Sequence, residues 1–565
     1  MLDTLFTNAR IVDVFRLRTF NGWFGVRGDR FLFVEEGVPP AGLAAKQTID
    51  LGGDFVAPGL IDAHMHIESS LLTPRRFAEA VIPHGTTALL ADAHEVGNVA
   101  GEAGVAWMVH AGNDTPMRIF HALPSCVPAT SPEIESTAQV FGADEIARML
   151  ALPRVIALGE VMDYRGLLGQ SARLPALVAA ARRMGVRIEG HIPTLSGMEL
   201  SEYLSHGVQS DHTLTFPAKI LEQLSKGVTV MLQAKSLTPE NMACVNALAD
   251  RNGIVLVTDD VEPNLLREGH LTRMIGLAVK SGLAPIEALA SATIRPARYM
   301  GVHDLGGIAP GYLADFIVLD DLAAFPPRQV WLGGRKVATN GKALDIPVPA
   351  ARPLPEFPDL PGPLAAVDFR LLPDAAGTQQ RTANAVVVVN QTNSITRLEP
   401  VPVTVEDGFA RFAEGDGLSL VAVFARRGGA RSVGVIKNVG IDRGAAASSM
   451  AHDSHNLLVV GRDIASMVRA ANAVFGMGGG VAIDDGSDVV AELRLPVFSL
   501  ISDEHAETVA AELDAVEVAL RGLGMKSQRP FLQLSLLALS VSPYYKFSDK
   551  GVVDTEARAL LPALV

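Results

Sequence analysis

The segment Pro58-Gly59-Leu60-Ile61-Asp62-Ala63-His64-Met65-His66-Ile67-Glu68-Ser69-Ser70 runs from an apolar lead-in to two histidines separated by one residue. On a β-strand alternate side chains share a face, so His64 and His66 present two imidazoles side by side. Such a pair suits a divalent metal. A lone His-x-His is equally compatible with two unrelated surface histidines, so its meaning depends on the rest of the chain.

From residue 57 to 305, short apolar, β-branched runs alternate with helical stretches, the pattern of repeated βα units on a parallel sheet. Eight candidate strands end near His66, His94, Pro124, Val161, His191, His212, Gln233 and Asp260. They include Thr86-Thr87-Ala88-Leu89-Leu90, Val155-Ile156-Ala157-Leu158, Val228-Thr229-Val230-Met231-Leu232 and Ile254-Val255-Leu256-Val257. Eight units predict a (β/α)8 TIM-like barrel, an α/β fold. A doubly wound open sheet would place a glycine-rich phosphate loop after its first strand, where this chain has His-x-His.

Residues 1–56 read as short strands punctuated by Gly, Asn and Asp, and β character returns over 306–345. The two segments are expected to pair into one small β-sandwich flanking the barrel. Residues 346–362 hold six prolines, a linker composition. Residues 363–565 read as a further α+β domain, with strand-like Ala385-Val386-Val387-Val388-Val389 and a helical stretch over 504–522.

Acidic residues number 62 against 48 Lys and Arg, a net charge of −14, which argues against nucleic-acid or anionic-membrane partners. No apolar run reaches the length of a membrane span. Cys126 and Cys244 are the only cysteines, so no disulfide framework is expected. Together with an N-terminus that lacks a signal-peptide pattern, this predicts a cytoplasmic enzyme.

In a barrel the C-terminal ends of all strands meet at one face. Strand one brings His64 and His66 there, strand four Glu160, strand five His191, strand six His212 and strand eight Asp259. Four imidazoles and two carboxylates suit two divalent metals of borderline type, bridged by a carboxylate. Such a pair generates hydroxide at neutral pH, and Asp259 is the candidate for both ligand and base. Taken singly, Asp259 could be a helix cap and Glu160 a rim salt-bridge residue; as a set at one face they read as a metal centre.

These features resemble the amidohydrolase superfamily through the Pro-Gly-x-Ile-Asp-x-His-x-His lead-in and the Gly311–Val318 segment. Within it the chain resembles the adenine deaminase family. The segments that carry this are His64–Ser70, Asp92-Ala93-His94-Glu95-Val96-Gly97-Asn98-Val99, Ser210-Asp211-His212, Thr258-Asp259-Asp260 and Ser448-Ser449-Met450-Ala451-His452-Asp453-Ser454-His455-Asn456. The resemblance implies hydrolytic deamination of adenine to hypoxanthine and ammonia by a hydroxide activated between two metals, Mn2+ or Fe2+ favoured over Zn2+. It implies Glu95 as proton donor or purine contact and His94 as a group that polarises or holds the substrate. Glu68, Thr213 and Ser236 join Glu95 as substrate-binding candidates, and a homodimer or larger homo-oligomer is expected. The chain departs from the family pattern at Thr213, where a glutamate is expected, and at Gln233-Ala234-Lys235-Ser236, where Arg-Glu-Gly-Ser is expected. Ala93 and Ile192 also replace a proline and an alanine. A polar pocket that changes its hydrogen-bonding groups changes what it accepts.

Two other classes are weighed against this. A cyclic-amide hydrolase of the same superfamily would bridge its metals with a carboxylated lysine on strand four, where this chain has Glu160. A non-catalytic metal-binding scaffold would lack a ligand or a base, and neither is missing. His452 and His455 read as a structural hydrogen-bond cluster rather than a metal site, and the resemblance also suggests that the C-terminal domain caps the barrel mouth.

Overall fold

The computed structural model describes residues 1–344, 349–389 and 395–565. Its centre is a ring of eight parallel strands: β1 (Leu60–Met65), β2 (Thr86–Asp92), β3 (Arg118–Leu123), β4 (Val155–Val161), β5 (Arg187–Gly190), β6 (Ser210–Asp211), β7 (Thr229–Leu232) and β8 (Ile254–Leu256). Strands β1 to β5 form one hydrogen-bonded group and β6 to β8 another. All eight expected strands are present, and their inward side chains pack as a filled core of Ile61, Ala63, Leu90, Ala157, Met231 and Val255.

Two seams close the ring. Between β5 and β6, Gln209 N–H donates to the Ile188 carbonyl at 3.0 Å. A Cβ on Gly190 would lie 2.3 Å from the Ser210 carbonyl oxygen, so only glycine permits this approach. Between β8 and β1, Asp259 N–H donates to the His64 carbonyl at 3.2 Å and His66 N–H to the Asp259 carbonyl at 3.4 Å. The second seam is therefore made by three of the expected metal ligands.

Strands from both flanks of the barrel, including Leu2–Asp13, Arg18–Arg27, Phe55–Pro58, Phe316–Leu319 and Gln329–Leu332, belong to one nine-stranded sheet. Phe24 and Phe316 meet edge-to-face at 5.2 Å although two strands separate theirs in the hydrogen-bonded order. In a flat sheet that separation would be about 14 Å. The sheet thus folds over a core of Phe6, Phe24, Phe31, Phe316 and Trp331.

The expected linker crosses the barrel's helical surface. Trp107 Nε1 donates to the Pro353 carbonyl and Arg75 Nη1 to that of Pro349, each at 3.0 Å. Its first residues, 346–348, lie outside the described residues. The C-terminal unit carries a second nine-stranded, mixed sheet with helices Ile464–Gly476 and Ala506–Leu523. Among the described residues no helix is long and apolar enough to cross a membrane.

The C-terminal unit sits on the mouth of the barrel. Thr73 and Arg75, after β1, both bond Asp503 at 2.7 Å. Ser136, after β3, donates to Asp549 at 2.6 Å, and Asp163, after β4, pairs with Arg558. Glu262, after β8, accepts from Arg529 at 2.6 Å. One apolar cluster continues across this boundary from Ile67, Leu71 and Phe77 to Phe498, Leu500 and Phe531. Burial of this continuous surface, more than the ion pairs at its rim, holds the two units together.

Candidate metal centre

All six expected ligands converge at the C-terminal ends of the strands. Glu160 lies between two groups of imidazoles. Its Oε1 is 3.2 Å from His66 Nε2, while its Oε2 is 2.5 Å from His191 Nδ1 and 3.2 Å from His212 Nε2. Asp259 Oδ1 lies 3.5 Å from His64 Nε2 and 3.4 Å from His66 Nε2. The His64 and His212 rings stack at 4.1 Å.

For His64 and His66, the ring nitrogen that faces inward is set by a contact on the opposite side of the ring. His66 Nδ1 donates to the Asp92 carbonyl at 3.0 Å, which turns Nε2 inward toward Glu160 and Asp259. His64 Nδ1 faces Glu189 Oε2 at 3.4 Å, and its buried Nε2 has no hydrogen-bond partner. An orphaned imidazole nitrogen aimed at carboxylates fits a metal ligand, and the mixed N/O donor set fits a borderline divalent ion. Burial alone would raise the Glu160 carboxyl, but the facing His191 and His212 outweigh it and hold the group well below the usual carboxylate range. Burial opposes charge on His64 and His66. Glu189 and Asp259 at His64, and Asp259 and Glu160 at His66, nevertheless raise both well above the ordinary value. A metal entering this cluster must therefore displace protons.

An outer layer fixes these ligands. Asp92 Oδ2 accepts from Glu160 N–H at 3.2 Å. A Cβ on residue 159 would stand 2.0 Å from that same oxygen, so Gly159 is what admits the carboxylate. Gln233 Nε2 donates to Asp259 Oδ2 at 2.5 Å and to the His212 carbonyl at 3.1 Å. Asp259 has φ +58°, a strained conformation that aspartate tolerates better than most residues. Next to His212, buried Asp211 accepts from Lys219 and Gln223, each at 2.7 Å.

The remaining candidates fall into two groups. His94 and Glu95 start the helix after β2, both buried; His94 Nδ1 is 3.9 Å from Glu160 Oε1. Glu68 is fully buried nearby, and its Oε1 accepts from Val96 N–H at 3.4 Å. Thr213 and Ser236 are buried too, but their hydroxyls already have partners: Thr213 donates to Asp211 at 2.8 Å, and Ser236 bonds Thr215 at 3.0 Å. Lys235 is exposed. Cys126 is buried against His94, and burial pushes its thiol up to about 12.

The resemblance suggests a C-terminal unit capping the barrel mouth, and the structure shows which of its residues reach the site. The loop Ala451–Asn456 enters the barrel mouth beside His94 and Glu95. Asp453 Oδ1 is 3.6 Å from His94 Nε2 and 3.5 Å from His452 Nδ1. His452 Nδ1 is 3.5 Å from Glu95 Oε1, and His455 Nε2 is 3.9 Å from Glu95 Oε2. The His-Asp-Ser-His segment was visible in the sequence, but nothing local announced contact with residues 350 positions away. Of the six candidate ligands, His191 is the most accessible, its side chain 23% exposed. Solvent thus approaches from the β5 side.

A parallel barrel with imidazoles and carboxylates gathered at its strand ends is the architecture of the metal-dependent amidohydrolases, and the amidohydrolase family model matches residues 55–337. The model of the adenine deaminase C-terminal domain matches residues 393–559. Adenine deaminase of Desulfatibacillum aliphaticivorans is 36% identical over 98% of this chain and 95% of its own length. That of Nitratidesulfovibrio vulgaris Hildenborough is also 36% identical with the same coverage, and adenine deaminase 2 of Carboxydothermus hydrogenoformans is 34% identical over 99% and 96%. The chain belongs to the adenine deaminase family of the amidohydrolases, hydrolases of C–N bonds.

Proposed function

We propose that this protein deaminates adenine, or a closely related aminopurine, hydrolytically to hypoxanthine and ammonia. The observation that carries the reading is likeness to adenine deaminases along nearly the whole chain, through barrel and C-terminal unit alike.

His64, His66, Asp259, Glu160, His191 and His212 are the residues that would hold two divalent ions, and Glu160 turns one oxygen to His66 and the other to His191 and His212. Mn2+ or Fe2+ is favoured, and Zn2+ fits the same donors. Such ions supply a water that is ionised at neutral pH. Asp259 Oδ1 is placed to take the proton from the attacking water and return it to the departing amine. Glu95 carries a proton to or from a ring nitrogen. His94, held by Asp453, steadies the reacting edge of the base, and Glu68 lines the same wall. Two unpaired cysteines support a reducing, cytoplasmic setting.

The test is an assay of Mn-loaded protein against a panel of aminopurines and cyclic amides. Ammonia release from adenine is the expected result. Ring opening of a cyclic amide without ammonia from any aminopurine would sink the proposal.

A further inference from the structure

Among the described residues, buried polar atoms beside the candidate metal ligands that lack a hydrogen-bond partner include Glu68 Oε2, His94 Nδ1, Glu95 Oε2, Asp453 Oδ2 and His455 Nε2. Three come from the barrel and two from the C-terminal loop. Buried polar atoms are almost always paired, so orphans from one wall of one site mark a place for a polar ligand.

His455 is the most tightly specified of them. Its residue sits at φ +51°, with its N–H donating to the Ala451 carbonyl at 2.9 Å and its carbonyl accepting from Arg426 Nε at 2.7 Å. Its ring is oriented by Ala451 N–H, which donates to Nδ1 at 3.1 Å. A backbone N–H can only donate, so Nδ1 accepts and the proton of the neutral imidazole stands on Nε2. This argues against a metal ion between Glu95, His452 and His455, because Nε2 has no free lone pair to offer. What remains is a fixed N–H donor whose nitrogen lies 3.9 Å from Glu95 Oε2, too far for a hydrogen bond.

We infer that His455 is a specificity residue of the deaminase site, its Nε2–H donating to an unprotonated ring nitrogen of the purine while Glu95 meets a neighbouring position on the same edge. This rests on the proposed deamination and adds that the C-terminal unit reads the base directly. An adenine ring offers N1, N3 and N7 as acceptors, so one of them is the partner.

The test uses 1-deaza-, 3-deaza- and 7-deazaadenine as competitive inhibitors of adenine deamination by the full-length, metal-loaded protein. In the unmodified enzyme, one analogue should bind about tenfold or more weakly than the other two. His455→Asn keeps an oxygen to accept from Ala451 N–H but is too short to present the outer donor. In this variant the weak analogue should come within about threefold of the others, with bound metal unchanged. His455→Phe provides a second variant with no donor at all and should behave the same way. Preserved discrimination in either variant, even with reduced turnover, would show a merely structural role and overturn the inference. Failure of the unmodified enzyme to release ammonia from adenine would overturn the deaminase reading itself, and this inference with it.

Discussion

Gln233 donates from one amide nitrogen both to Asp259 Oδ2 and to the His212 carbonyl. A side chain at the end of β7 thereby ties the β8 carboxylate to the β6 histidine. It leaves Asp259 Oδ1 facing His64 and His66. Gln233→Leu should therefore reduce kcat by about 10- to 100-fold, the usual effect of losing a group that orients a metal ligand. Steady-state kinetics with metal analysis checks this; an unchanged kcat would mean that Asp259 needs no such support.

Among the described residues, Glu160 is the one carboxylate in contact with histidines from β1, β5 and β6. Glu160→Gln removes the charge while keeping the shape. Bound metal should fall to about one ion per chain or less, with turnover lowered more than about a hundredfold. Elemental analysis and ammonia release both read this. Full metal content with normal turnover would remove Glu160 from the bridging position.

Burial disfavours a charged His452, but Glu95 and Asp453 outweigh it and raise the group from 6.5 to about 9. A raised histidine stabilises the fold fully below its unfolded value and loses that contribution as pH rises through its folded one. Relative to His452→Gln, the native protein should gain up to about 3 kcal/mol at pH 6, most of it gone by pH 9.5. Thermal midpoints of both proteins across this range provide the measurement. A gap independent of pH would show that His452 is neutral in the folded chain.

Lys219 and Asp211 form a buried pair next to His212. Lys219→Met leaves the Asp211 charge buried with only neutral partners and should cost about 3–5 kcal/mol. Adding Asp211→Asn should recover part of this. Denaturation of the single and double variants decides it; equal losses in both would show that charge is not the cause.

The barrel was legible because its strands are short, β-branched and evenly spaced, and because His64-x-His66 follows from a strand's two-residue period. His191, His212, Glu160 and Asp259 were legible as strand ends, since a closed barrel sends every such end to one face. The rest was not written locally. Gln233 looked only like a departure from family pattern, because a glutamine's partner is set by what stands opposite it. Thr213 drew attention as an altered substrate contact, yet its hydroxyl is bonded to Asp211.

The sequence by itself determined the order of the candidate metal ligands and their common face, because alternation along a strand and convergence at a barrel mouth are consequences of backbone geometry. Only the tertiary structure decided which nitrogen of His64 and of His66 turns inward, since that depends on distant partners, Glu189 and the Asp92 carbonyl. It also decided that Asp453, His452 and His455 complete the wall around His94 and Glu95. Those contacts arise from burial of one apolar surface between barrel and C-terminal unit, a force without direction that no local motif encodes.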